Sequence, residues 1–351
     1  MNEQLKERID KVSRISLKEI LQDFGAVFVK ERQFYHPYWG NEKTPSGFIY
    51  VDKNGQEKWK HFKQGVGGDG IEFVKQVTGA TSIFDALDKI LGPDKTFKVR
   101  SEEEMKSYNE HLMQIKKQED EQARKRMYAI LKNSKPALAT KKGLDYFEKR
   151  GLLEVIDKFY SPNIDIMLNS YKNKDGKDIT SIVYLFKGNK EKGTSSFMII
   201  KGLEKDNEGK RFKMNVRTCR PISYTSDAKA PILICEGFED GLSALNNMFR
   251  YKNFISLNST SGVKKMMDMM DKCPKFFNNH EFHVCFDNDK TGDMATTRLM
   301  QHAKEKGYNF KVSDISQMIK EAKVNDINDL LVHYNNIIKK TEKSIAASKE
   351  R

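Results

Sequence analysis

Four cysteines serve 351 residues, and no two of them (Cys219, Cys235, Cys273, Cys285) stand in a Cys-x-x-Cys pair. A disulfide framework is excluded, and a reducing cytoplasm is the expected setting. Long apolar runs are also missing: no stretch approaches the ~20 residues of a membrane span. The opening Met1-Asn2-Glu3-Gln4-Leu5-Lys6 does not read as a signal peptide. No membrane partner is expected. The glycine loop Gly67–Gly70 lacks the following Lys-Ser or Lys-Thr of a phosphate cradle, and no ATPase motif occurs elsewhere. Negative charge is the scarcer sign, with 49 Asp and Glu against 62 Lys and Arg, a net charge of +13. That excess favours polyanion partners through counterion release, although a lysine-rich solvated surface gives the same balance. At 38% hydrophobic and 32% charged residues, the chain has room for two or three domains joined by charged connectors.

The most informative stretch runs from Pro231 to Asp329. The apolar run Ile232-Leu233-Ile234-Cys235 stops at Glu236-Gly237-Phe238-Glu239-Asp240, and Phe282-His283-Val284-Cys285-Phe286 stops at Asp287-Asn288-Asp289-Lys290-Thr291-Gly292. Short β-branched and aromatic runs ending in acid and glycine are the pattern of buried parallel strands emptying into loops before helices. Helical spacing follows from Gly241 to Leu245 and from Met294 to Ala303, and Phe254–Leu257 and Phe310–Val312 read as two further strands. Alternation of this kind predicts a doubly wound parallel sheet with its ligand beyond the carboxyl ends of the strands. Glu236, Asp287 and Asp289 fall at those ends. Carboxylates gathered at one edge repel one another, and an oxygen-only donor set suits Mg²⁺ or Mn²⁺. Acids after strands also serve as turn formers and helix N-caps, and that reading stands beside the metal one.

These residues carry a resemblance. The Glu236-Gly-x-x-Asp240 and Asp287-x-Asp289-Lys290-x-Gly292 motifs, with Ala295 following, resemble the TOPRIM domain, most of all its DnaG-type bacterial primase branch. Asn325-Asp326-Ile327-Asn328-Asp329 is similar to the ending of primase-like TOPRIM proteins, with Asn325 where the family has lysine. Near the amino end, Glu42–Ser46, an aromatic strand and Gly67-Gly68-Asp69-Gly70 resemble the primase zinc-ribbon module, but every family cysteine is missing. His36 and His61 fall near the two ligand pairs. Two histidines without thiolates do not close a structural zinc site, so no zinc is expected. Phe34, Tyr38, Trp39, Phe48, Tyr50, Trp59 and Phe62 are expected to form a small core in its place, or to stack on single-stranded bases. Lys43 in the loop is a candidate DNA contact. Gly143–Leu152 resembles the helix that opens the primase catalytic core. The basic stretch Lys210, Arg211, Lys213 to Arg217 stands where that family places charge for template or triphosphate, and an exposed basic hairpin is the other reading.

The expected architecture is α/β plus α+β. Residues 1–93 form a degenerate ribbon-like DNA-binding domain and 94–134 a solvated charged helical linker. Residues 135–229 form a mixed basic subdomain, 230–333 the TOPRIM sheet, and 334–351 a lysine-rich tail that is partly helical and then disordered. The resemblance implies a template-dependent nucleotidyltransferase making short primers on single-stranded DNA from nucleoside triphosphates, of the sort carried by mobile elements, plasmids or phages. A replicative helicase or a relaxase is the implied protein partner. In that reading Glu236, Asp287 and Asp289 are catalytic and bind the metal with support from Asp240 and Asp326. Lys210, Arg211, Lys213, Arg217, Lys290 and Lys43 contact nucleic acid or nucleotide. A TOPRIM nuclease and a non-catalytic replication accessory are the alternatives.

Overall fold

Short polar side chains mark where two helices near the amino end, Gly70–Thr78 and Ile83–Ile90, begin. Asp69 accepts from the backbone N–H of Glu72 at 3.0 Å and Ser82 from that of Asp85 at 3.1 Å, each satisfying an amide that the first helical turn leaves bare. The computed structural model describes residues 3–349 apart from 41, 43, 53, 173–177, 190–193, 206–210 and 218. It divides into two units, Met1–Gln122 and Ala123–Arg351.

In the first unit, α1 (Glu3–Ser13) and α2 (Leu17–Asp23) precede β1 (Val27–Phe28), β2 (Gln33–Tyr35), β3 (Gly47–Val51), β4 (Glu57–His61) and β5 (Val66–Gly68). These strands pair antiparallel in chain order. α3 (Gly70–Thr78), α4 (Ile83–Ile90) and the start of α5 (Glu102–Lys132) follow. The aromatics expected as one core separate into two sets. Phe34 and Trp59 are fully buried with Phe73, and Trp39 lies over His61 at 4.4 Å between ring centroids. Tyr38, Tyr50 and Phe62 are instead exposed. Alternation along β3 and β4 explains the division for Trp59 and Tyr50, because Ile49 pairs with Trp59 on the inner face while Tyr50 pairs with Lys58 on the outer.

The second unit opens on the last turns of α5. β6 (Ser134–Pro136), α6 (Lys141–Lys149), α7 (Leu153–Lys158), β7 (Ile164–Lys172), β8 (Asp178–Phe186), β9 (Phe197–Lys205) and β10 (Arg211–Val216) follow. Their five strands form an antiparallel sheet ordered β10-β9-β8-β7-β6. α5 is more than a solvated linker: Ala123, Met127, Ile130 and Leu131 pack on Val183, Leu185, Met198 and Ile200 on one face of that sheet.

The chain then enters a second five-stranded sheet through β11 (Ile222–Thr225), β12 (Ile232–Cys235), α8 (Phe238–Ala244), β13 (Asn253–Ser256), α9 (Val263–Lys272), α10 (Pro274–Asn278), β14 (Phe282–Cys285), α11 (Lys290–Lys306), β15 (Phe310–Val312), α12 (Asp314–Ala322) and α13 (Ile327–Lys349). Strand order is β11-β13-β12-β14-β15, with β13, β12, β14 and β15 parallel and β11 antiparallel at the edge. The sheet is therefore mixed rather than wholly parallel. Ile232, Ile234, Phe282 and Val284 face Met266, Met270 and Leu299 on one side. Leu233, Cys235 and Cys285 face Leu242 and Ile315 on the other, in a core that continues to Ile182, Tyr184 and Phe186 of the antiparallel sheet. Both faces being covered is why these strands read as unbroken apolar runs. α8 approaches β13 closely because Gly241 carries no side chain: a Cβ there would collide with the Phe254 ring. The tail expected to lose structure is helical through Lys349.

Candidate functional site

β12 and β14 are neighbours with Cys235 opposite Cys285. Glu236 and Asp287, following these strands, therefore emerge side by side at the same sheet edge. The loop before α13 is tied there too. The Asn288 N–H donates to the Asn325 carbonyl at 2.7 Å, and its side chain to the Val324 carbonyl at 3.2 Å. Asn325 Nδ2 reaches Asp287 Oδ2 at 3.4 Å.

Three of the acids also cap helices. Asp289 Oδ1 accepts from the Gly292 N–H at 2.7 Å as N-cap of α11. Asp326 Oδ1 accepts from the Asp329 N–H at 2.6 Å at the start of α13. Asp240 accepts with both oxygens, from the Gly237 N–H at 2.9 Å and the Asn328 N–H at 3.4 Å. The capping role thus holds alongside the cluster, and it explains why α8 and α11 start several residues earlier than their apolar spacing suggests. Glu236 accepts from the Thr260 backbone.

The electrostatics show how near the acids stand. Burial first, then Asp240, pushes the Glu236 carboxyl up to about 7. Burial and then Glu236, Asp326 and Asp289 push Asp287 up to about 7. Burial and Asp240 raise Asp326 to about 7, while burial and Asp287 raise Asp240 to about 6. Lys213 opposes the shift at both Glu236 and Asp287. Among the described residues no group of three or more His, Cys, Asp or Glu forms a ready-made metal cage. The donors still fit a hard divalent cation: they are carboxylates only, and burial together with their mutual repulsion raises them toward neutrality. Mg²⁺ takes one or two such carboxylates and keeps waters on its other positions, so an open cluster suits it better than a closed cage.

The basic candidates separate. Lys213 on β10 faces the acids. Arg211 donates from Nε to the Leu203 carbonyl at 3.3 Å, its guanidinium 5.6 Å from the Tyr146 ring centroid. Arg217 holds a left-handed φ of 70° after β10. Lys290 is exposed at the first position of α11. Lys43 and Lys210 lie outside the described residues.

Sequence reasoning missed a heavily bonded acid, Glu239. Glu239 is 2% exposed in the first turn of α8. Its Oε1 accepts from Tyr146 at 2.8 Å and Tyr184 at 2.6 Å, and its Oε2 meets Lys201 at 3.0 Å and Arg150 at 3.3 Å. Burial alone would raise this carboxyl, but Lys201, Arg150 and the two hydroxyls hold it down to about 2. The motif named Glu239 only as a spacer, and its partners lie in three other elements.

A family model described as Toprim-like matches residues 233–331. No curated protein matches the chain. Among solved structures, the primase fragment of the bacteriophage T7 primase-helicase protein is similar over 59% of this chain and 74% of that one, at 15% identity and a TM-score of 0.31. A second covers 45% of this chain and 68% of its own, at 12% identity and a TM-score of 0.26. It is the bacteriophage T7 lagging-strand DNA polymerase interacting with primase domains of two gp4 subunits bound to an RNA/DNA hybrid and dTTP. Overlap at this level fixes neither fold nor function.

Proposed function

We propose that the chain is a primase-like nucleotidyltransferase that joins nucleotides on a single-stranded DNA template, with Glu236, Asp287 and Asp289 as the catalytic acids. One observation carries the reading: four carboxylates raised to about 6 or 7 converge where two adjacent parallel strands end, with Lys213 opposite them. Glu236, Asp287 and Asp289 would hold Mg²⁺ or Mn²⁺, and Asp326 and Asp240 would brace their loops. Such an ion, when bound, supplies positive charge for triphosphate oxygens and lowers the pKa of an attacking hydroxyl. Lys213 neutralises phosphate at the mouth of the cluster. Glu236 would also relay the proton of a 3′-hydroxyl. Arg211, Arg217 and Lys290 add positive charge for a template in the second unit; Lys43 and Lys210, outside the described residues, are proposed contacts from the sequence alone. A replicative helicase or relaxase is the partner such an enzyme would serve.

The capping bonds favour one second reading. Acids engaged in their own loops can hold a fold together without chemistry, which suits a non-catalytic replication accessory. Incubation with Mg²⁺, single-stranded DNA and nucleoside triphosphates tests both. Short products that form only with nucleotides, and vanish in Asp287→Ala, support the lead. Degradation without nucleotides points to a nuclease. No reaction, together with unaltered cellular function of Asp287→Ala, favours the accessory.

A further inference from the structure

We propose that Glu239 is a positioning residue for the acid site: its carboxylate clasps Arg150 and Lys201, and through them fixes the 236–240 loop, the start of α13 and the β9–β10 edge in one arrangement. The proposal builds on the acid site above, but its main readout does not need a bound metal.

Arg150 follows α6 and has two carboxylate partners. One guanidinium nitrogen meets Glu239, and another reaches Asp329 Oδ1 at 3.3 Å. Its carbonyl accepts from Asn328 Nδ2 at 2.9 Å, and the same amide donates to Ser243 Oγ on α8 at 2.8 Å. The loops that present Asp240 and Asp326 are thereby tied to a single residue. Lys201 carries the tie to the other sheet, where it stands opposite Lys213 across β9 and β10. The lysine that faces Glu236 and the lysine that binds Glu239 are cross-strand neighbours. Buried ion pairs add little net stability, and apolar residues often fill such space as well or better. A fully bonded carboxylate between two cations therefore argues for a specified arrangement. Two donors on each oxygen leave Glu239 little freedom to move.

The rival explanation is that Glu239 only adds negative charge near the acids. Two substitutions in the full chain separate the cases. If charge alone matters, Glu239→Gln weakens divalent binding and Lys201→Met strengthens it. If the clasp matters, both weaken Mn²⁺ binding, by about tenfold, and both speed amide exchange at residues 236–240 and 326–329. Free Mn²⁺ is measured by electron paramagnetic resonance and exchange by mass spectrometry. Tyr184→Phe removes one hydroxyl donor at nearly constant volume and is expected to raise exchange in the same loops to a smaller degree. It keeps the test decisive if Glu239→Gln does not fold. Affinity shifts of opposite sign, or unchanged exchange in the foldable variants, overturn the proposal. A wild-type chain that binds no Mn²⁺ refutes the metal reading instead, and the exchange data still decide the clasp.

Discussion

Raising the pH should destabilise the second unit when divalent ions are absent and leave it nearly unchanged when they are present. Glu236, Asp287 and Asp326 hold carboxyls near 7 and Asp240 near 6, while an unfolded chain releases those protons near 4. Between about pH 4 and 7 the native state binds more protons than the unfolded state, so unfolding free energy falls as pH rises through that window. The four share one set of repulsions, so their shifts do not add. Roughly two retained protons over about 1.5 pH units, at 1.36 kcal/mol per proton and unit, give about 4 kcal/mol. Partial solvent screening at Glu236 and Asp287 reduces this to about 2 kcal/mol. For a unit of this size that is a fall in Tm of about 4–8 °C. The assay is thermal unfolding followed by far-ultraviolet circular dichroism from pH 5 to 8, with EDTA and with millimolar Mg²⁺. A Tm in EDTA that stays level or rises between pH 5 and 7.5, or a fall that Mg²⁺ does not relieve, refutes the picture of a shared, proton-holding acid cluster.

Four further outcomes follow from particular residues. Tryptophan fluorescence reports the first unit alone, since Trp39 and Trp59 are the only two tryptophans. Burial lowers the pKa of His61 there, so the unfolded state takes up a proton below about 6.5 that the native state refuses. The fluorescence-detected midpoint should therefore rise from pH 5.5 to 7.5, opposite in sign to the second unit. Trp59→Ala empties a fully buried site and breaks the 2.8 Å bond from Nε1 to the Asp69 carbonyl. It should cost about 3–5 kcal/mol in denaturant unfolding of that unit. In the primer-synthesis assay, Asp287→Asn should lower kcat by about a hundredfold or more, at the scale of a lost catalytic charge. Lys213→Ala should chiefly raise KM for the triphosphate, and equal loss in kcat and kcat/KM would instead assign Lys213 to the transition state.

The acid loops were legible because burial on both faces writes a parallel strand as an apolar run, and the first acid after such a run marks its exit. Glu236 and Asp287 were found that way. The end of α5 carried a readable signal as well: Ala123, Met127, Ile130 and Leu131 repeat at helical spacing within a segment whose overall charge suggested solvent on all sides. β7 was equally open to reading through the alternation of Ile164, Ile166 and Leu168. Glu239 was not. Tyr146 lies 93 positions before it, Arg150 89 and Tyr184 55, and no local pattern reports a carboxylate whose donors come from separate elements. β11 escaped notice for a related reason, because an edge strand of four residues is defined by the partner it finds rather than by its own composition.

β11 precedes the 233–331 segment matched by the Toprim-like family, yet it is the outer neighbour of β13. A fragment trimmed to the match would bare the edge from Asn253 to Ser256 and invite strand-to-strand association there. It would also strip Glu239 of all four donors. Expression of an isolated piece carrying the acid cluster is better begun at Ala123, where the second unit starts.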